Sequence, residues 1–280
     1  MTPVRPFPAL LIRRGSRRVL VVADLHIGWE ATLTQRGVHV PSQTPKILDK
    51  VLRLVKEVKP TEIIFLGDVK HTVSGVEIEE WRDIPDFFDA IQKTVPNVQI
   101  IPGNHDGNLE PLLPETITIL PPKGIALGSV GLFHGHAWPA PELLSCRDLV
   151  TAHVHPMVVF RDLMGFRITR QVWVRAECNS LELAKPLLKH LGVRIDQDLA
   201  KLLQDNFNVK PRSSRLFIMP SFNDFLGGQP VNKKSLGKDR KSRSFIGPVL
   251  RSGSVNIEDA EIYLLDGTFL GVISQLRGLS

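Results

Sequence analysis

Cysteine is nearly absent from this sequence. Its 280 residues include two cysteines, Cys146 and Cys178, which lie far apart and form no CxxC pair. This spacing argues against a disulfide framework and against a structural zinc site built on thiolates. It also predicts a protein of the reducing cytoplasm.

Long apolar segments are missing as well. No run approaches the roughly 20 apolar residues that a membrane helix needs. Near the N-terminus, the apolar residues 9–12 are too few for the core of a signal peptide, and Arg13 and Arg14 end them. We therefore expect an unexported cytoplasmic protein with no membrane partner.

The composition is that of an ordinary globular chain. Hydrophobic residues make up 42% and charged residues 23%, and 35 Lys and Arg against 29 Asp and Glu give a formal charge of +6. A chain of this length can bury one large core, so we predict a single domain over residues 1–280. The modest positive charge favours solubility and suits an anionic substrate such as nucleic acid.

Strands and helices alternate over the first hundred residues. Strands are predicted at 18–23, 62–66 and 98–101, with one helix from Thr44-Pro45 to Pro60 and another over 79–95 that has Trp81, Ile84, Phe88 and Ile91 on one face. This order implies right-handed crossovers and a largely parallel sheet.

The pattern changes after about Glu110. Short apolar segments near 116–120, 125–134, 149–153, 157–160 and 166–174 predict a second sheet, mixed or antiparallel. Further on, helices are predicted at 181–191 and 195–207, and strands at 215–219, 245–250 and 260–274, the last around an Asp266-Gly267 turn. The expected fold class is therefore α/β.

Five short polar blocks each follow an apolar run. They are Asp24-Leu25-His26, Gly67-Asp68, Gly103-Asn104-His105-Asp106, His134-Gly135-His136 and His153-Val154-His155. Taken singly, each block could be a surface pair, a helix cap or a polar turn. Together, at successive strand ends, they predict a metal-dependent phosphoryl-transfer site.

The side-chain types indicate which metals would bind. Asp24 and His26 are two residues apart, as are His153 and His155, so on an extended strand each pair would point to one side. A carboxylate can bridge two cations, and further nitrogen and oxygen ligands complete each shell. Carboxylate, amide and imidazole ligands without thiolate suit manganese, iron or zinc better than a soft metal or magnesium.

The blocks resemble the calcineurin-like metallophosphoesterase superfamily, whose pattern runs DxH, GD, GNH(D/E), H and GHxH. The resemblance covers roughly residues 18–160. It implies two facing mixed β-sheets flanked by helices. It also implies a cofactor of two divalent metal ions, manganese first, with iron, zinc and nickel as alternatives.

The resemblance assigns a role to each matching residue. The implied ligands are Asp24, His26 and His155 for the first metal, Asn104, His134 and His153 for the second, and Asp68 as the bridge. It implies that His105 does not ligate but protonates the leaving group or stabilises the transferring phosphoryl group, with Asp106 orienting its ring.

One position departs from the family pattern. Ala152 stands where the family usually has glycine, but both neighbouring ligands remain, so we expect metal binding to survive. His136 and His71 are candidates for contacting the substrate or supporting a ligand. For His71, an ordinary polar loop residue is an equal alternative.

A looser similarity involves residues 28–44, Gly67 to His71, Pro220 to Asn223 and Gly227-Gly228. These resemble a prokaryotic subgroup that includes the bacterial ligase-associated DNA-repair phosphoesterase and archaeal SbcD-related phosphoesterases. The similarity implies phosphodiester hydrolysis, with DNA or RNA as substrate and a link to DNA repair. Relative to the shorter bacterial members, residues 177–212 are predicted to be a helical insertion, either a cover for the cleft or surface decoration.

Two other functions stay open. One is a phosphomonoesterase acting on a protein or a small molecule. The other is a non-catalytic metal-binding scaffold, which the presence of His105 and of every expected ligand disfavours. The basic run 233–243 is either a phosphate track or a solvated loop, and it has no aromatic residue for base stacking. The sequence specifies no protein partner.

Overall fold

The computed structural model describes residues 1–162, 164–233 and 246–277. The chain divides into two compact units. The first comprises Met1–Pro122 with Ser221–Leu226, and the second comprises Lys123–Pro220 with Gly227–Ser280. A single domain over residues 1–280 stays a prediction.

The first unit is built on a mixed sheet. Within the described residues its strands are β1 (Thr2–Pro3), β2 (Ala9–Arg14), β3 (Arg17–Val22), β4 (Glu62–Leu66), β5 (Val98–Ile101) and β6 (Thr118–Ile119). They pair in this order, antiparallel up to β3 and parallel from β3 onwards. The parallel strands confirm the predicted alternation. The segment 116–120 was wrongly expected in the second sheet, because β6 pairs with β5.

Three α-helices belong to the described part of this unit: α1 (Glu30–Thr34), α2 (Thr44–Val58) and α3 (Ile78–Gln92). α2 begins one residue earlier than expected, because Gln43 rather than Thr44 is its N-cap. On α3, Ile84 and Phe88 are buried as predicted, but Trp81 is 52% exposed. The interior position next to it belongs to Glu80, whose carboxylate accepts the N–H groups of His71 and Thr72.

A second mixed sheet forms the other unit. Its described strands are β7 (Ile125–Leu127), β8 (Val130–Leu132), β9 (Asp148–Thr151), β10 (Pro156–Arg161), β11 (Arg167–Cys178), β12 (Ser214–Ile218), β13 (Gln229–Pro230), β14 (Val255–Leu264) and β15 (Phe269–Val272). They lie in the order β13-β10-β11-β12-β9-β8-β7, while β14 pairs with β11 and β15. The Asp266-Gly267 hairpin is confirmed: Gly267 has φ +92° and donates to the carbonyl of Leu264.

The helices of the second unit are α4 (Ser180–His190), α5 (Leu199–Phe207), α6 (Pro248–Arg251) and α7 (Ile273–Leu276), counting only described residues. α4 and α5 confirm the helical character of 177–212, whereas its status as an insertion stays a prediction. The strand expected at 245–250 is wrong, because Pro248 starts α6 after Gly247 at φ +91°. Of the basic run 233–243, only Lys233 lies among the described residues.

Both cysteines are free and buried in the second unit's apolar core. Burial raises the pKa of the Cys146 thiol and raises that of Cys178 to about 12. In the described part of the chain, no helix is both long enough and apolar enough to span a bilayer.

The two faces of α3 predict unequal mutational costs. Ile84→Ala should destabilise the fold by about 2–5 kcal/mol, because it opens a cavity in a buried site. Trp81→Ala should change the unfolding free energy by about 0.5 kcal/mol or less, because the indole is half exposed. Urea unfolding of both variants measures the difference, and equal costs would contradict the burial assigned to this helix.

The Cys178 thiol predicts a pH dependence of stability. Its ordinary pKa is 9.0, so above pH 9 the unfolded chain releases a proton that the folded chain retains up to about pH 12. The stabilisation is complete below pH 9 and declines as the pH rises toward 12. Between pH 8 and pH 10 the wild type should lose about 1.4 kcal/mol more stability than Cys178→Ala. Parallel urea-unfolding curves at both pH values would contradict this.

Candidate metal centre

In the first unit, the loops after β3 and β4 are joined by backbone hydrogen bonds. The N–H of Asp24 donates to the carbonyl of Gly67 at 3.1 Å, and the N–H of His26 donates to that of Asp68 at 2.9 Å. These bonds continue the parallel pairing beyond the strands. As a result, the ligand atoms of Asp24, His26 and Asp68 lie within 4.8 Å of one another.

The predicted ligands adopt an unusual backbone conformation. Eight described non-glycine residues have positive φ, and five of them are predicted ligands: Asp24, His26, Asp68, His153 and His155. The sequence had suggested extended pairs pointing to one side, so that expectation was wrong. Left-handed backbone at a non-glycine residue costs on the order of 1–3 kcal/mol and persists only where surrounding contacts enforce it.

A segment from late in the chain supplies such contacts. Ser221 donates its hydroxyl to the carbonyl of Asp24 at 3.0 Å, and Asn223 donates its amide to that of Leu25 at 2.9 Å. Between them, Phe222 donates its N–H to the carbonyl of Ala23 at 2.8 Å. The side chains of all three residues are buried. In the sequence this segment shows a family similarity but no signal of its clamping role.

Asp106 holds the loops after β4 and β5. Its carboxylate accepts the N–H groups of Val69 at 2.8 Å, Lys70 at 3.3 Å and Gly103 at 2.7 Å. The ring of His105 meets the carbonyl of His71 through its Nδ1. The His71 carbonyl therefore helps to orient the His105 ring, and the orienting role of Asp106 stays a prediction.

His71 joins the same cluster. The ring nitrogens of His26, His71 and His105 lie within 4.8 Å of one another. Nδ1 of His71 is 3.3 Å from Nδ1 of His26, and its Nε2 is 3.1 Å from the hydroxyl of Thr32. Burial, and after it the nearby His105, lower the pKa of His71. The structure thus places His71 against a predicted ligand, not in an isolated loop.

Lys70 is a structural residue that the sequence did not single out. Its side chain is fully buried, and its ammonium donates to the carbonyls of Thr72 and Gly75, the latter at 3.0 Å. Burial lowers the pKa of Lys70, an effect that Glu80 and Asp106 oppose. Its position directly after Gly67-Asp68-Val69 is a sequence signal that could have identified it.

The side-chain oxygen of Asn104 shows that the first unit has a buried group suited to a metal ion. Its Oδ1 is buried, and no donor among the described residues forms a hydrogen bond with it. An unsatisfied buried carbonyl oxygen costs about 1–3 kcal/mol. A divalent cation would satisfy this oxygen, and the neighbouring carboxylates and imidazoles are the other ligands that such a cation takes.

The second unit brings together two more predicted ligands. His134 is buried, and its carbonyl accepts the N–H of Ala152 at 2.9 Å and the hydroxyl of Thr151 at 2.8 Å. Its ring centroid lies 5.1 Å from that of His153. His136 contacts His134 through their Nδ1 atoms at 3.1 Å, and burial lowers the pKa of His136 to about 4.

The turn between β9 and β10 carries His153 and His155 in left-handed conformation, at φ +67° and +47°. Ala152 does not take a positive φ, so its methyl group adds no backbone strain there. The alanine that departs from the family pattern is therefore compatible with the positions of both histidines.

A close backbone approach fixes the position of His155. A Cβ on Gly228 would lie 2.0 Å from the carbonyl oxygen of His155, while a Cβ on Gly227 would meet nothing within 4 Å. That carbonyl also accepts the N–H of Gln229 at 3.0 Å. Of the Gly227-Gly228 pair, only the second glycine is sterically required.

Comparison with known protein families assigns the chain to one of them. A family model described as calcineurin-like phosphoesterase matches residues 17–209. No curated protein sequence matches the chain significantly. The family assignment rests on the match over residues 17–209.

Similar solved structures include the Pseudomonas putida nuclease MPE, at 18% identity and TM-score 0.48, covering 92% of this chain and 97% of that one. The Escherichia coli phosphoesterase YfcE has 19% identity and TM-score 0.33, covering 51% and 73%. The Aquifex aeolicus protein AQ665, titled as of unknown function, has 18% identity and TM-score 0.34, covering 49% and 78%.

Gly228→Ala should weaken metal binding about 10- to 100-fold, because the added methyl group displaces the backbone that carries His155. Gly227→Ala is the matched control and should bind within about twofold of wild type. Calorimetric titration of the metal-stripped proteins with manganese measures both. Equal affinities for the two variants would overturn the positioning role of Gly228.

Asp106→Asn should destabilise the protein by about 1–3 kcal/mol, because an amide cannot accept all three backbone N–H groups that the carboxylate accepts. The exposed Asp86 on α3 offers the same change without such contacts, so Asp86→Asn should stay within about 0.5 kcal/mol. Urea unfolding compares them. A stable Asp106→Asn protein would mean that these bonds do not hold the loops.

Proposed function

The chain belongs to the calcineurin-like phosphoesterase family, and we propose that it hydrolyses phosphodiester bonds with the aid of two divalent metal ions. The observation that carries the proposal is the grouping of Asp24, His26 and Asp68, whose ligand atoms lie within 4.8 Å of one another. Two carboxylates and an imidazole at this spacing form a large part of a metal ligand set.

We propose the family's assignment for the metal ligands. The first ion would be held by Asp24, His26 and His155, the second by Asn104, His134 and His153, with Asp68 as the bridge. When bound, two such cations neutralise phosphate charge and lower the pKa of a coordinated water. Manganese is the proposed metal, with iron, zinc and nickel as alternatives, because the ligand set is mixed carboxylate, amide and imidazole.

His105 is the proposed proton donor to the leaving-group oxygen. A carbonyl can only accept, so the contact with His71 requires the proton on Nδ1 and leaves Nε2 as the atom facing other partners. The backbone N–H of His105 also donates to Oδ1 of Asp68 at 2.9 Å. These two bonds fix the ring's position relative to the proposed bridging carboxylate.

Nucleic acid is the proposed substrate class. It is supported by the formal charge of +6 and by the sequence similarity to DNA-repair phosphoesterases. A cytoplasmic location is proposed because both cysteines are free, as is usual for proteins of a reducing compartment.

The test is hydrolysis of bis-p-nitrophenyl phosphate by metal-stripped protein to which manganese, zinc, iron, nickel or magnesium is returned singly. We expect turnover with manganese. His105→Ala should lower kcat about 10²- to 10⁴-fold while metal binding is retained, because a lost general acid affects chemistry and not ligation. Asp68→Asn should lose both activity and metal.

The same assay on p-nitrophenyl phosphate distinguishes the competing functions. A strong preference for the monoester would replace the diesterase proposal by a phosphomonoesterase. Tight metal binding without turnover on either substrate would indicate a non-catalytic scaffold. Equal activity of wild type and His105→Ala would remove His105 from the mechanism.

A further inference from the structure

The outward face of α2 forms a groove in the first unit, which we name the α2 groove. Its lining residues are Lys46, Asp49, Lys50, Leu52, Arg53, Lys56, Asp224 and Phe225. The opposite face of the helix buries Ile47, Val51 and Leu54 in the core. The helix therefore gives its apolar stripe to the fold and leaves its basic side chains along an open depression.

The α2 groove continues toward the end of the helix. A neighbouring depression shares Leu52 and Lys56 with it and adds Arg18 and Lys59, and no described acidic residue lines it. Lys46 and Lys59 are 13 residues apart, which at 1.5 Å per residue spans roughly 20 Å. This length accommodates several nucleotides of an extended strand.

Cations remain in excess after internal pairing is taken into account. Lys50 donates to Asp224 at 2.7 Å and to the carbonyl of Phe222 at 2.8 Å, so its ammonium is already paired within the protein. Asp49 also lines the groove, and the exposed Glu57 lies on the same helix but lines neither depression. Against these, the remaining basic residues are Lys46, Arg53, Lys56, Lys59 and Arg18. The surface is therefore complementary to a polyanion.

An aromatic platform stands at one end of the α2 groove. Phe225 is 50% exposed, and its ring stacks on Trp29 with centroids 5.8 Å apart and planes at 18°. The ammonium of Lys46 lies 5.3 Å from the Phe225 centroid. The backbone N–H of Phe225 donates to Oδ1 of the buried Asn223 at 3.0 Å, so the backbone that carries the ring is held in place.

This platform is connected to the predicted ligands of the same unit. Asn223 also donates to the carbonyl of Leu25, the residue between Asp24 and His26. The backbone N–H of Trp29 donates to the carbonyl of His26 at 3.2 Å. A strand lying against Phe225 would thus approach the loop that carries two of the proposed metal ligands.

We propose that the α2 groove binds a single strand of nucleic acid, with an unpaired base stacked on Phe225 and successive phosphates along Lys46, Arg53 and Lys56. The inference rests on the proposed function for its substrate class. A single strand is favoured over a duplex because a base can stack on an aromatic ring only when it is unpaired. A sequence-tolerant surface of this kind would hold the strand while a neighbouring bond is cleaved.

The test measures binding apart from hydrolysis. Anisotropy of a fluorescein-labelled 12-nucleotide single-stranded DNA is followed with metal-stripped protein in EDTA at several salt concentrations. The triple variant Lys46→Ala, Arg53→Ala, Lys56→Ala should bind at least tenfold more weakly and lower the salt slope by about 2, since each phosphate contact contributes about 0.7. The matched control replaces three exposed lysines of the second unit, Lys185, Lys201 and Lys210, by alanine and should bind within twofold of wild type.

Phe225→Ala and Phe225→Leu test the stacking separately. Both should weaken binding about tenfold or more with an unchanged salt slope, and Leu preserves apolar volume without a π face. Equal weakening by the α2 triple and the control triple would overturn the proposal, as would tight binding by Phe225→Leu or equal competition by polyglutamate. No binding by wild type would overturn it too.

Hydrolysis of bis-p-nitrophenyl phosphate by the same variants separates this inference from the proposed function. Activity that is intact in the α2 triple, with oligonucleotide binding lost, supports both. Activity absent in wild type, with binding still dependent on Phe225 and α2, would reject the catalytic proposal and leave the binding surface in place. Activity lost in the α2 triple with unchanged binding would contradict the inference.

Discussion

The candidate site of the first unit depends on hydrogen bonds that continue a sheet after its strands have ended. The loop after β3 stays paired with the loop after β4, through Asp24 to Gly67 and His26 to Asp68. This pairing occurs while Asp24, His26 and Asp68 adopt left-handed backbone. These backbone hydrogen bonds are among the surrounding contacts that offset the cost of that conformation.

Two further contacts reinforce this arrangement from different parts of the chain. The Asp106 carboxylate accepts the backbone N–H groups of Val69, Lys70 and Gly103, and so joins the loop after β4 to the loop after β5. Ser221 and Asn223 donate to backbone carbonyls of the loop after β3. Apart from the half-buried Gly103, each residue in these hydrogen bonds is buried, and in a buried setting a missing partner is costly. The loops after β3, β4 and β5 are consequently held together by one network of hydrogen bonds.

Much of this could be predicted from the sequence because the signals are local. β-Branched runs ended by polar blocks located β3, β4 and β5, and the order DxH, GD, GNHD, H, HxH identified the family that residues 17–209 confirm. The helical spacing of apolar residues between Thr44-Pro45 and Pro60 located α2. Such patterns repeat within a single helix or strand, and this periodicity is directly visible in the sequence.

What could not be predicted depends on contacts between distant segments. Left-handed backbone at His26 and His153 gives no sequence signal, because histidine is found in extended conformation far more often. The exchange of Trp81 for Glu80 on the buried face of α3 follows from the amides that Glu80 accepts. Likewise, no sequence pattern connects the basic residues of α2 with Phe225, which the fold places at one end of the same groove.

The clamp made by Ser221, Phe222 and Asn223 has a consequence for synthesis on the ribosome. Residues 221–226 belong to the first unit, although about a hundred residues of the second unit precede them in the chain. Phe222 is buried in the same core as Leu20, Val22 and Phe65. The first unit therefore cannot complete its core when residue 122 emerges from the ribosome. The loop of Asp24 and His26 stays unclamped until residue 226 has emerged as well.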